Sequence, residues 1–491
     1  MLIRQYIQRY FKSDPKVWGS DYRQVPVEKL IDEYAAIQRY LLSNYSTGTR
    51  VAIFLSRDYR YFLTLLACMD TGVVFIPLRT EWPKARIEQI QQISGFEILL
   101  TDPMLDKVIC EAKNDDGDSY ALPEISSEQP LYCLFTSGTT GAPKGVLIRR
   151  AAYENFLRWC NDYFVDIGEG DRLLNSTDYT FDVALAEVAL ALTRRVAFYC
   201  SNFRNDFFTL LSELSDLKIN VIATVPNNFE LLLDERFISR ADLSGLRYAL
   251  IAGARFPLSL KWQFDKYLGS TRVFNCYGPT EATIYCLARE LTGPDSHYVE
   301  RQTVSVGSAI PGCIPLIVDD DLCPVEAMQS GELLIGGNQV MDSYLNDPSA
   351  TKNAIISIDG VDYYRTGDLA FFNKIGDVFI TGRNDDTIKV SGQRVNLSDI
   401  EGYVQQLDFV TSCAAIAVES PIRGACIVLY VVAARSIAEA DILAALKEIL
   451  PSHQLPQDLV LTGSLPRNNS GKICKKTLGQ IYKMNRDVTG N

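Results

Sequence analysis

Residues 131–148 form the sequence LYCLFTSGTTGAPKGVLI, in which two apolar runs enclose a segment of glycines, hydroxyl side chains and Lys144. The apolar runs are typical of strands. Glycines let backbone N–H groups approach an anion closely, hydroxyls donate hydrogen bonds, and the lysine adds positive charge. The segment therefore predicts a loop that holds phosphate. Its spacing does not fit the GxxxxGK[ST] pattern of the common P-loop, and an exposed polar turn is the alternative.

The chain around this loop predicts an α/β fold. Between about 50 and 340, helix-like stretches alternate with the apolar runs VAIFLS, VVFIPL, INVIATV, LRYALIAG and TRVFNCYG. This alternation is typical of layered α/β subdomains with largely parallel strands. From about 315 the runs come closer together with glycine and aspartate between them, which predicts a β-rich portion.

After about 385 helix and strand patterns mix again, and ACIVLYVVAA at 425–434 predicts a buried strand. We therefore predict a large N-terminal domain, residues 1–384, and a small mobile α+β C-terminal domain, residues 385–491.

Composition excludes several classes of protein. With 491 residues, 47% hydrophobic and 22% charged, the chain is long enough and apolar enough for more than one globular core. A net charge of −12 without clusters of lysine and arginine argues against nucleic acid or an anionic membrane as partner. The start lacks a signal-peptide pattern, and no apolar run reaches membrane-spanning length, so we expect a cytoplasmic protein. The 12 cysteines are scattered and only 2 histidines are present, which predicts reduced thiols rather than a metal site.

The string from Thr136 to Gly145 resembles the phosphate loop of the acyl-adenylate-forming (AMP-binding) superfamily. Further segments match that family in its order along the chain, from roughly 50 to 480. They are NCYGPTEAT at 275–283, GELLIGGNQVMDSYLNDPSATKNA at 331–354, YRTGDL at 364–369, GRNDDTIKVSGQRVNLSDIE at 382–401 and LPRNNSGKICKKTL at 465–478. The resemblance is closest to free-standing nonribosomal peptide synthetase adenylation domains and amino acid–carrier protein ligases.

The resemblance implies ATP and Mg²⁺ as cofactors. Tyr277 offers a flat face for adenine and Asn275 an amide for its edge. Asp368 can accept both ribose hydroxyls, and Arg383 can brace the sugar or a phosphate. The residues that the resemblance assigns to ATP or AMP are Thr136, Ser137, Gly138, Thr140, Gly141, Lys144, Asn275, Tyr277, Gly278, Thr280, Asp368 and Arg383.

The same resemblance assigns catalytic roles to Thr139, Glu281 and Lys472. Glu281 is a carboxylate suited to Mg²⁺, and by itself it would be a solvated glutamate at a helix start. Lys472 would stabilise the negative charge that accumulates when a carboxylate attacks the α-phosphate, although a lysine in such a loop is usually just solvated. Asp385 matches the family's hinge, about which the small domain rotates between two half-reactions.

That rotation would bring the segment around Lys389 and Gly392 to the site. Asn396 departs from the glutamate that many amino-acid-activating members carry.

The acid that is activated is predicted from the sequence DYTFDVALAEV around residue 182. In amino-acid-activating members an aspartate after phenylalanine pairs with the substrate's α-ammonium, and Asp182 follows Phe181. The alternative is an aspartate that caps the following helix. Matching the family's specificity positions adds Val183, Ala186, Ala223, Leu250, Ala252, Cys276, Ile284 and Tyr285 as substrate residues. These are mostly small and apolar, which predicts a sizeable uncharged side chain, aromatic or bulky aliphatic.

The leading hypothesis is an enzyme that activates an amino acid and loads it onto a separate phosphopantetheinylated carrier protein. No carrier segment follows the lysine loop in this sequence. An acyl- or aryl-CoA ligase is the second hypothesis, and a non-catalytic nucleotide-binding scaffold is the third. Retention of Thr139, Glu281, Asp368 and Lys472 together speaks against the scaffold. We expect no nucleic-acid or membrane partner, and a monomer is the default.

Overall fold

A computed structural model describes most of the chain. The described residues are 2–112, 121–137, 143–202, 207–301, 303–383, 387–390, 393–420, 424–434, 437–450, 455–468 and 471–489. The chain divides into two compact units. The first is Met1–Tyr298, Ser305–Leu316 and Leu334–Thr366, and the second is Val299–Val304, Ile317–Leu333 and Gly367–Asn491. The predicted boundary between residues 384 and 385 stays a prediction.

The strands are numbered in chain order. They are β1 Val17–Trp18, β2 Gln24–Val25, β3 Arg50–Phe54, β4 Val74–Pro77, β5 Ile98–Thr101, β6 Pro130–Ser137, β7 Pro143–Arg149, β8 Arg172–Asn175, β9 Ala197–Cys200, β10 Val221–Thr224, β11 Tyr248–Ile251, β12 Arg272–Tyr277, β13 Leu287–Glu290, β14 Val299–Glu300, β15 Thr303–Val304, β16 Ser308–Ala309, β17 Cys313–Val318, β18 Gly331–Gly337, β19 Ser343–Tyr344, β20 Ile355–Ile358, β21 Val361–Phe372, β22 Val378–Arg383, β23 Thr387–Val390, β24 Gln393–Asn396, β25 Val410–Ser420, β26 Gly424–Ala433 and β27 Asp458–Leu461.

The helices are numbered in the same way. They are α1 Leu2–Lys12, α2 Val27–Asn44, α3 Tyr59–Thr71, α4 Lys84–Ser94, α5 Asp102–Ala112, α6 Arg150–Tyr163, α7 Val183–Arg194, α8 Phe207–Asp216, α9 Pro226–Leu232, α10 Glu235–Ile238, α11 Leu258–Tyr267, α12 Pro348–Ala354, α13 Leu397–Val404, α14 Glu439–Ile449 and α15 Lys475–Thr489.

A nine-stranded sheet forms one layer of the first unit, in the order β16-β13-β12-β11-β10-β8-β9-β1-β2. Its central strands, from β12 to β1, are parallel, and antiparallel strands lie at both edges. Every residue of β10 and β11 is buried, as expected for parallel strands with helices on both faces. The predicted α/β architecture with largely parallel strands is confirmed.

A six-stranded sheet, in the order β19-β7-β6-β4-β3-β5, forms a second layer of the same unit. Strands β3 to β6 pair in parallel, and β6 and β7 form an antiparallel hairpin around the predicted phosphate loop. Helix α3 connects β3 to β4. The side chain of Asp58 accepts a hydrogen bond from the N–H of Tyr59 at its start, and Gly72 ends it in the left-handed conformation.

The second unit contains a three-stranded sheet, β25-β26-β27. Alternate residues of its strands point to opposite faces. Ile427, Leu429 and Val431 pack with α13 and α14, whereas Val428 and Tyr430 pack with Leu478 and Tyr482 of α15. Strand β26 confirms the buried strand predicted at 425–434, and the unit has the predicted α+β character.

A five-stranded sheet contains β17-β18-β21-β20, with β22 paired to β21, and the division into units falls within β17, β18 and β21. It is the β-rich portion predicted from residue 315 onward. All 12 cysteines are free thiols and most are buried. Within the described ranges, the helices are too short or too polar to cross a membrane.

Glu187 is a fully buried carboxyl group in the middle of α7. The side-chain amide of Asn175 donates to its Oε2 at 2.5 Å, and the N–H of Thr177 donates to its Oε1 at 3.3 Å. Burial raises the pKa of Glu187 to about 8, although these hydrogen bonds act in the opposite direction. The folded protein therefore keeps Glu187 protonated at neutral pH.

This raised pKa predicts how stability depends on pH. The unfolded chain releases the Glu187 proton near its ordinary pKa of 4.5, whereas the folded protein holds it up to about 8. The contribution of the Glu187 proton to the free energy of unfolding is fully present below pH 4.5 and is lost as the pH rises through 8. The full loss is on the order of 5 kcal/mol. Glu187→Gln stays neutral, so its free energy of unfolding should rise relative to the original protein between about pH 5.5 and about pH 8.5.

Urea unfolding at both pH values measures this difference. Glu97→Gln, at an exposed glutamate, is the matched control and should show no such trend. A constant difference between the Glu187→Gln variant and the original protein over this range would contradict the assignment.

Candidate active site

The loop between β12 and β13 carries several predicted site residues on one tight hairpin. Tyr277 and Leu287 are register partners at its base, and the N–H of Cys286 donates to the Tyr277 carbonyl at 2.9 Å. A 3₁₀ turn, Thr280–Ala282, holds Glu281. A Cβ on Gly278 would lie 2.1 Å from the Ile284 carbonyl oxygen, so the loop folds back on a position that only glycine can occupy.

Two residues of this loop have strained backbone. Thr283 and Ile284 have φ angles of 55° and 72°, in the left-handed region that β-branched residues avoid. Each costs roughly 1–3 kcal/mol and persists only where surrounding structure fixes it. The strained pair lies directly between Glu281 and Tyr285, two residues that the sequence assigns to the metal and the substrate.

Gln339 fixes this strained turn. Its side-chain amide, which is fully buried, donates to the carbonyl oxygens of Ala282 at 3.1 Å and of Thr283 and Tyr285 at 2.9 Å. The Thr283 hydroxyl donates to the backbone carbonyl of Gln339 at 2.7 Å. The side-chain amide of Asn155 donates to Gln339 Oε1 at 2.9 Å. The turn conformation is therefore determined by a residue far along the chain.

Glu281 lies close to the hairpin of the predicted phosphate loop. The hydroxyl of Tyr344 donates to Glu281 Oε1 at 2.7 Å, and the ammonium of Lys144 lies 5.0 Å from the centre of the Tyr344 ring. Burial and the Glu281 carboxylate raise the pKa of Tyr344, so the phenol stays a donor. A carboxylate oriented in this way retains lone pairs for an ion, and such hard oxygen donors suit Mg²⁺.

The phosphate loop itself lies mostly outside the described residues. Thr136 and Lys144 are register partners on β6 and β7, so they flank the loop from both sides. Of Ser137 only the backbone is described, and Gly138, Thr139, Thr140 and Gly141 fall in the undescribed range 138–142.

The residues predicted for adenine lie at the carboxyl end of β12. Asn275 is buried, and its amide nitrogen donates to the Ser305 carbonyl at 2.9 Å. Part of its donor capacity is therefore used within the protein. Tyr277 and Thr280 are half-buried, so their side chains are accessible to a ligand.

Asp368 and Arg383 meet on neighbouring strands of the second unit. They are register partners of β21 and β22, and Arg383 Nη1 lies 3.0 Å from Asp368 Oδ1. Gly367, with φ of 68°, places its backbone where a Cβ would lie 3.1 Å from the guanidinium. The two residues predicted for ribose are thus together, with the carboxylate largely buried and the arginine half-exposed.

Lys472 lies on a tight loop before α15. The side chain of Asn468 accepts from the Lys472 N–H at 3.0 Å, and the Asn468 N–H donates to the Lys472 carbonyl at 2.8 Å. These bonds fix the loop backbone while the lysine itself is exposed. Asp385 and Gly392 lie outside the described residues, and the side chains of Lys389 and Asn396 are not described.

Asp182 directly precedes α7 in the first unit. Its side chain makes no capping hydrogen bond to the helix, although its carbonyl accepts from the N–H of Leu185 at 2.8 Å. The helix-cap alternative is therefore wrong for this carboxylate. One of its oxygens is buried, and its charge is among the causes that raise the pKa values of Tyr132 and Tyr285. Asp182 is thus a partly buried carboxylate whose charge acts on two buried tyrosines.

Arg79 holds the loop that leads to Asp182. Its Nε lies 3.0 Å from Asp178 Oδ1 and donates to Thr180 Oγ1 at 3.2 Å. Its guanidinium lies 5.2 Å from the centre of the Phe181 ring. Arg79 thus contacts three of the four residues that precede Asp182.

The remaining predicted substrate residues share one property, which is burial. Ala186, Ala223, Leu250, Ala252, Cys276, Ile284 and Tyr285 are each 3% exposed or less, and Val183 is half-buried. The small residue types suggested a roomy pocket, whereas these side chains, except that of Val183, are buried.

Sequence reasoning missed Gln339, Tyr344 and Arg79. Gln339 and Tyr344 lie in the block at 331–354 that matched the family, which was a signal without an assigned role. No local pattern distinguishes Arg79, because its partners lie about a hundred residues away.

Comparison with known proteins gives consistent results. A family model described as AMP-binding enzyme matches residues 13–345, and one described as AMP-binding enzyme C-terminal domain matches residues 399–472. The D-alanine–D-alanyl carrier protein ligase of Bacillus velezensis is 27% identical over 456 residues, which cover 88% of each chain. Tyrocidine synthase 3 of Brevibacillus parabrevis is 26% identical over 447 residues, but the match spans 7% of that protein.

Among solved structures, Klebsiella oxytoca NpsA in complex with 3-hydroxyanthranilyl-AMSN has a TM-score of 0.86 at 20% identity, and the match covers 98% of both chains. This likeness shows that the fold is shared.

The hydrogen bonds of Gln339 predict the effect of replacing it. Gln339→Leu leaves three buried carbonyl groups without their donor, which should destabilise the protein by roughly 2–4 kcal/mol and loosen the strained turn. Gln339→Glu has the same shape, but when ionised it has no donor and places a negative charge against the three carbonyl oxygens, so it should be at least as harmful. Urea unfolding measures the loss of stability, and isothermal titration with ATP measures the loss of affinity.

Gln329→Leu, at an exposed glutamine, is the control and should stay within about 0.5 kcal/mol of the original protein. Original stability and affinity in the Gln339→Glu variant would contradict the role given to the amide.

Proposed function

The chain belongs to the AMP-binding enzyme family and is an ATP-dependent adenylate-forming ligase, and from this premise we propose that it activates an amino acid as aminoacyl-AMP. The aminoacyl group then passes to the phosphopantetheine thiol of a separate carrier protein. A carrier protein ligase matched over 88% of both chains supports this proposal. The match to tyrocidine synthase 3, a longer protein of which this chain matches one part, also supports it.

The position of Asp182 carries the amino acid assignment. Asp182 is a carboxylate with one buried oxygen directly before the buried helix α7, and its charge acts on Tyr285. The α-ammonium of an amino acid carries a positive charge and N–H donors, which suit a carboxylate in this position. The aspartate does not cap α7, so its location before that helix suits a ligand-binding role.

In the first half-reaction, the substrate carboxylate attacks the α-phosphate of ATP, a C–O–P linkage forms, and pyrophosphate leaves. Lys472 stabilises the charge that develops on the phosphate, and Asp368 with Arg383 holds the ribose. Tyr277 supports the adenine. Mg²⁺ at Glu281, when bound, would offset the charge of the phosphate oxygens.

In the second half-reaction, the thiol attacks the acyl carbon. A C–S bond forms, the bond to phosphate oxygen breaks, AMP leaves, and the thiol proton passes to solvent. We assign Asp385, at the proposed boundary between residues 1–384 and 385–491, as the hinge about which the small domain rotates from the first half-reaction to the second. Such a rotation replaces Lys472 with the segment around Lys389.

Substrate-dependent exchange of pyrophosphate into ATP tests the proposal. Exchange is expected with an amino acid but not with its des-amino analogue, because Asp182 needs the ammonium. Asp182→Asn should raise the KM for the amino acid by about tenfold to a hundredfold and leave the KM for ATP within about twofold.

Equal exchange with both compounds would instead indicate an acyl- or aryl-CoA ligase. Asp162→Asn, at an exposed aspartate on α6, is the matched control and should leave both KM values unchanged.

Lys472→Ala separates the two half-reactions. Adenylation should slow by about a hundredfold or more, because charge stabilisation at the α-phosphate is lost. Transfer from preformed aminoacyl-AMP to the carrier thiol should stay within about threefold, because Lys472 has no role in that step. Single-turnover assays with each substrate measure the two rates. Lys476→Ala, at an exposed lysine of the same segment, is the control, and equal loss of both steps in the Lys472→Ala variant would refute the division of labour.

A further inference from the structure

We infer that the activated amino acid has a small side chain, with no more than two heavy atoms, as in glycine, alanine or serine. Tyr285 sets this limit by filling the space that a larger side chain would need. The inference rests on the proposed function and narrows its substrate class. It replaces the larger side chain that the sequence suggested.

The sheet register places the floor of this site on one face. Ala223 pairs with Leu250, and Leu250 pairs with Phe274. Paired residues of parallel strands point to the same face, as do residues two apart on one strand. Ala223, Leu250 and Cys276 therefore share a face near the carboxyl ends of β10, β11 and β12, where ligands of open α/β sheets bind.

Helix α6 covers the same face and leaves little room. The ring of Phe274 packs edge-on against Tyr163 and Phe164, at centroid distances of 6.0 and 5.4 Å. The ring of Tyr285 packs edge-on against Phe156 of α6 at 5.8 Å. Tyr285 therefore lies beside α6, and the Asp182 and Cys276 groups are near enough to affect its pKa.

The burial of the lining residues measures the space that remains. Tyr285 is 1% exposed, and Ala223 and Cys276 are no more than 3% exposed. A cavity that accepts an aromatic ring has a volume of about 150 Å³ and would leave accessible surface on its walls. An aromatic or branched aliphatic substrate would have to displace the tyrosine ring. The displacement needed falls with the size of the side chain, and we therefore set the limit at two heavy atoms.

The hydroxyl of Tyr285 leaves a hydrogen bond that a ligand could make. Among the residues that the structure describes, this buried hydroxyl meets no hydrogen-bond partner. A buried polar group left in that state costs about 1–3 kcal/mol, so such groups are usually satisfied by water or a ligand. A small substrate beside Asp182 brings its carboxylate or a side-chain hydroxyl into reach. Tyr285 thus limits size and also offers one hydrogen bond.

Pyrophosphate exchange with a graded amino acid panel tests the inference. The original enzyme should show a kcat/KM for glycine, alanine or serine at least tenfold above that for valine, leucine or phenylalanine. Tyr285→Leu replaces the ring with a smaller side chain. It should raise the ratio of kcat/KM for leucine to kcat/KM for alanine by about tenfold or more. Tyr285→Phe keeps the size limit, so the ratio should stay within about threefold while the KM for the preferred amino acid rises.

Tyr153→Leu is the matched control, because Tyr153 is equally buried on α6 but its hydroxyl donates to the Leu185 carbonyl at 2.9 Å. Replacement of Tyr153 should lower the exchange rates with all amino acids. The ratio of kcat/KM for leucine to that for alanine should not change, because it does not depend on the fraction of folded enzyme. Efficient exchange of the original enzyme with leucine or phenylalanine would overturn the size limit and leave the proposed function intact. Absence of exchange with every amino acid would overturn both.

Discussion

The side-chain amide of Gln339 donates to three backbone carbonyl groups of the turn from Ala282 to Tyr285. An amide nitrogen carries two hydrogens, so the three acceptors share them, and the geometry is correspondingly restrictive. This network compensates the strain of two consecutive left-handed β-branched residues. Without it, nothing in the local sequence would select that backbone conformation over an ordinary hairpin loop.

The turn matters because it fixes the position of Glu281 relative to Tyr285. On one side of it, Glu281 accepts from Tyr344, whose ring also lies under Lys144 of the phosphate-loop hairpin. On the other side, Tyr285 packs against Phe156 in the region that we propose for the substrate. The network therefore holds Glu281 and Tyr285 at a fixed separation. In the proposed function Glu281 serves the nucleotide and Tyr285 the amino acid, and holding two reactants in place contributes to lowering the barrier between them.

The sequence predicted what depends on local pattern and failed where distant packing decides. Parallel strands buried on both faces appear as continuous apolar runs, so β10 and β11 could be recognised directly. The ordered motifs likewise assigned Glu281, Asp368 and Lys472 to a site. Gln339 could not be found in this way, because its role consists of hydrogen bonds to residues more than fifty positions away. The size of the substrate side chain stays a prediction for the same reason, since small residue types indicate a large space only when no distant ring fills it.

Helix α7 illustrates why a buried carboxyl group remains in such a core. The helix is buried from Ala184 to Thr193, so it has no polar face that would fix its rotation about its own axis. Glu187 supplies that constraint through its hydrogen bonds with Asn175 and Thr177, at the start of the loop that leads back to Asp182. Burial of the carboxyl group in its neutral form lowers stability less than an ionised group would, and it still accepts both bonds. Glu187 therefore helps to fix the rotation of the helix that directly follows Asp182, the residue that we propose binds the substrate's ammonium group.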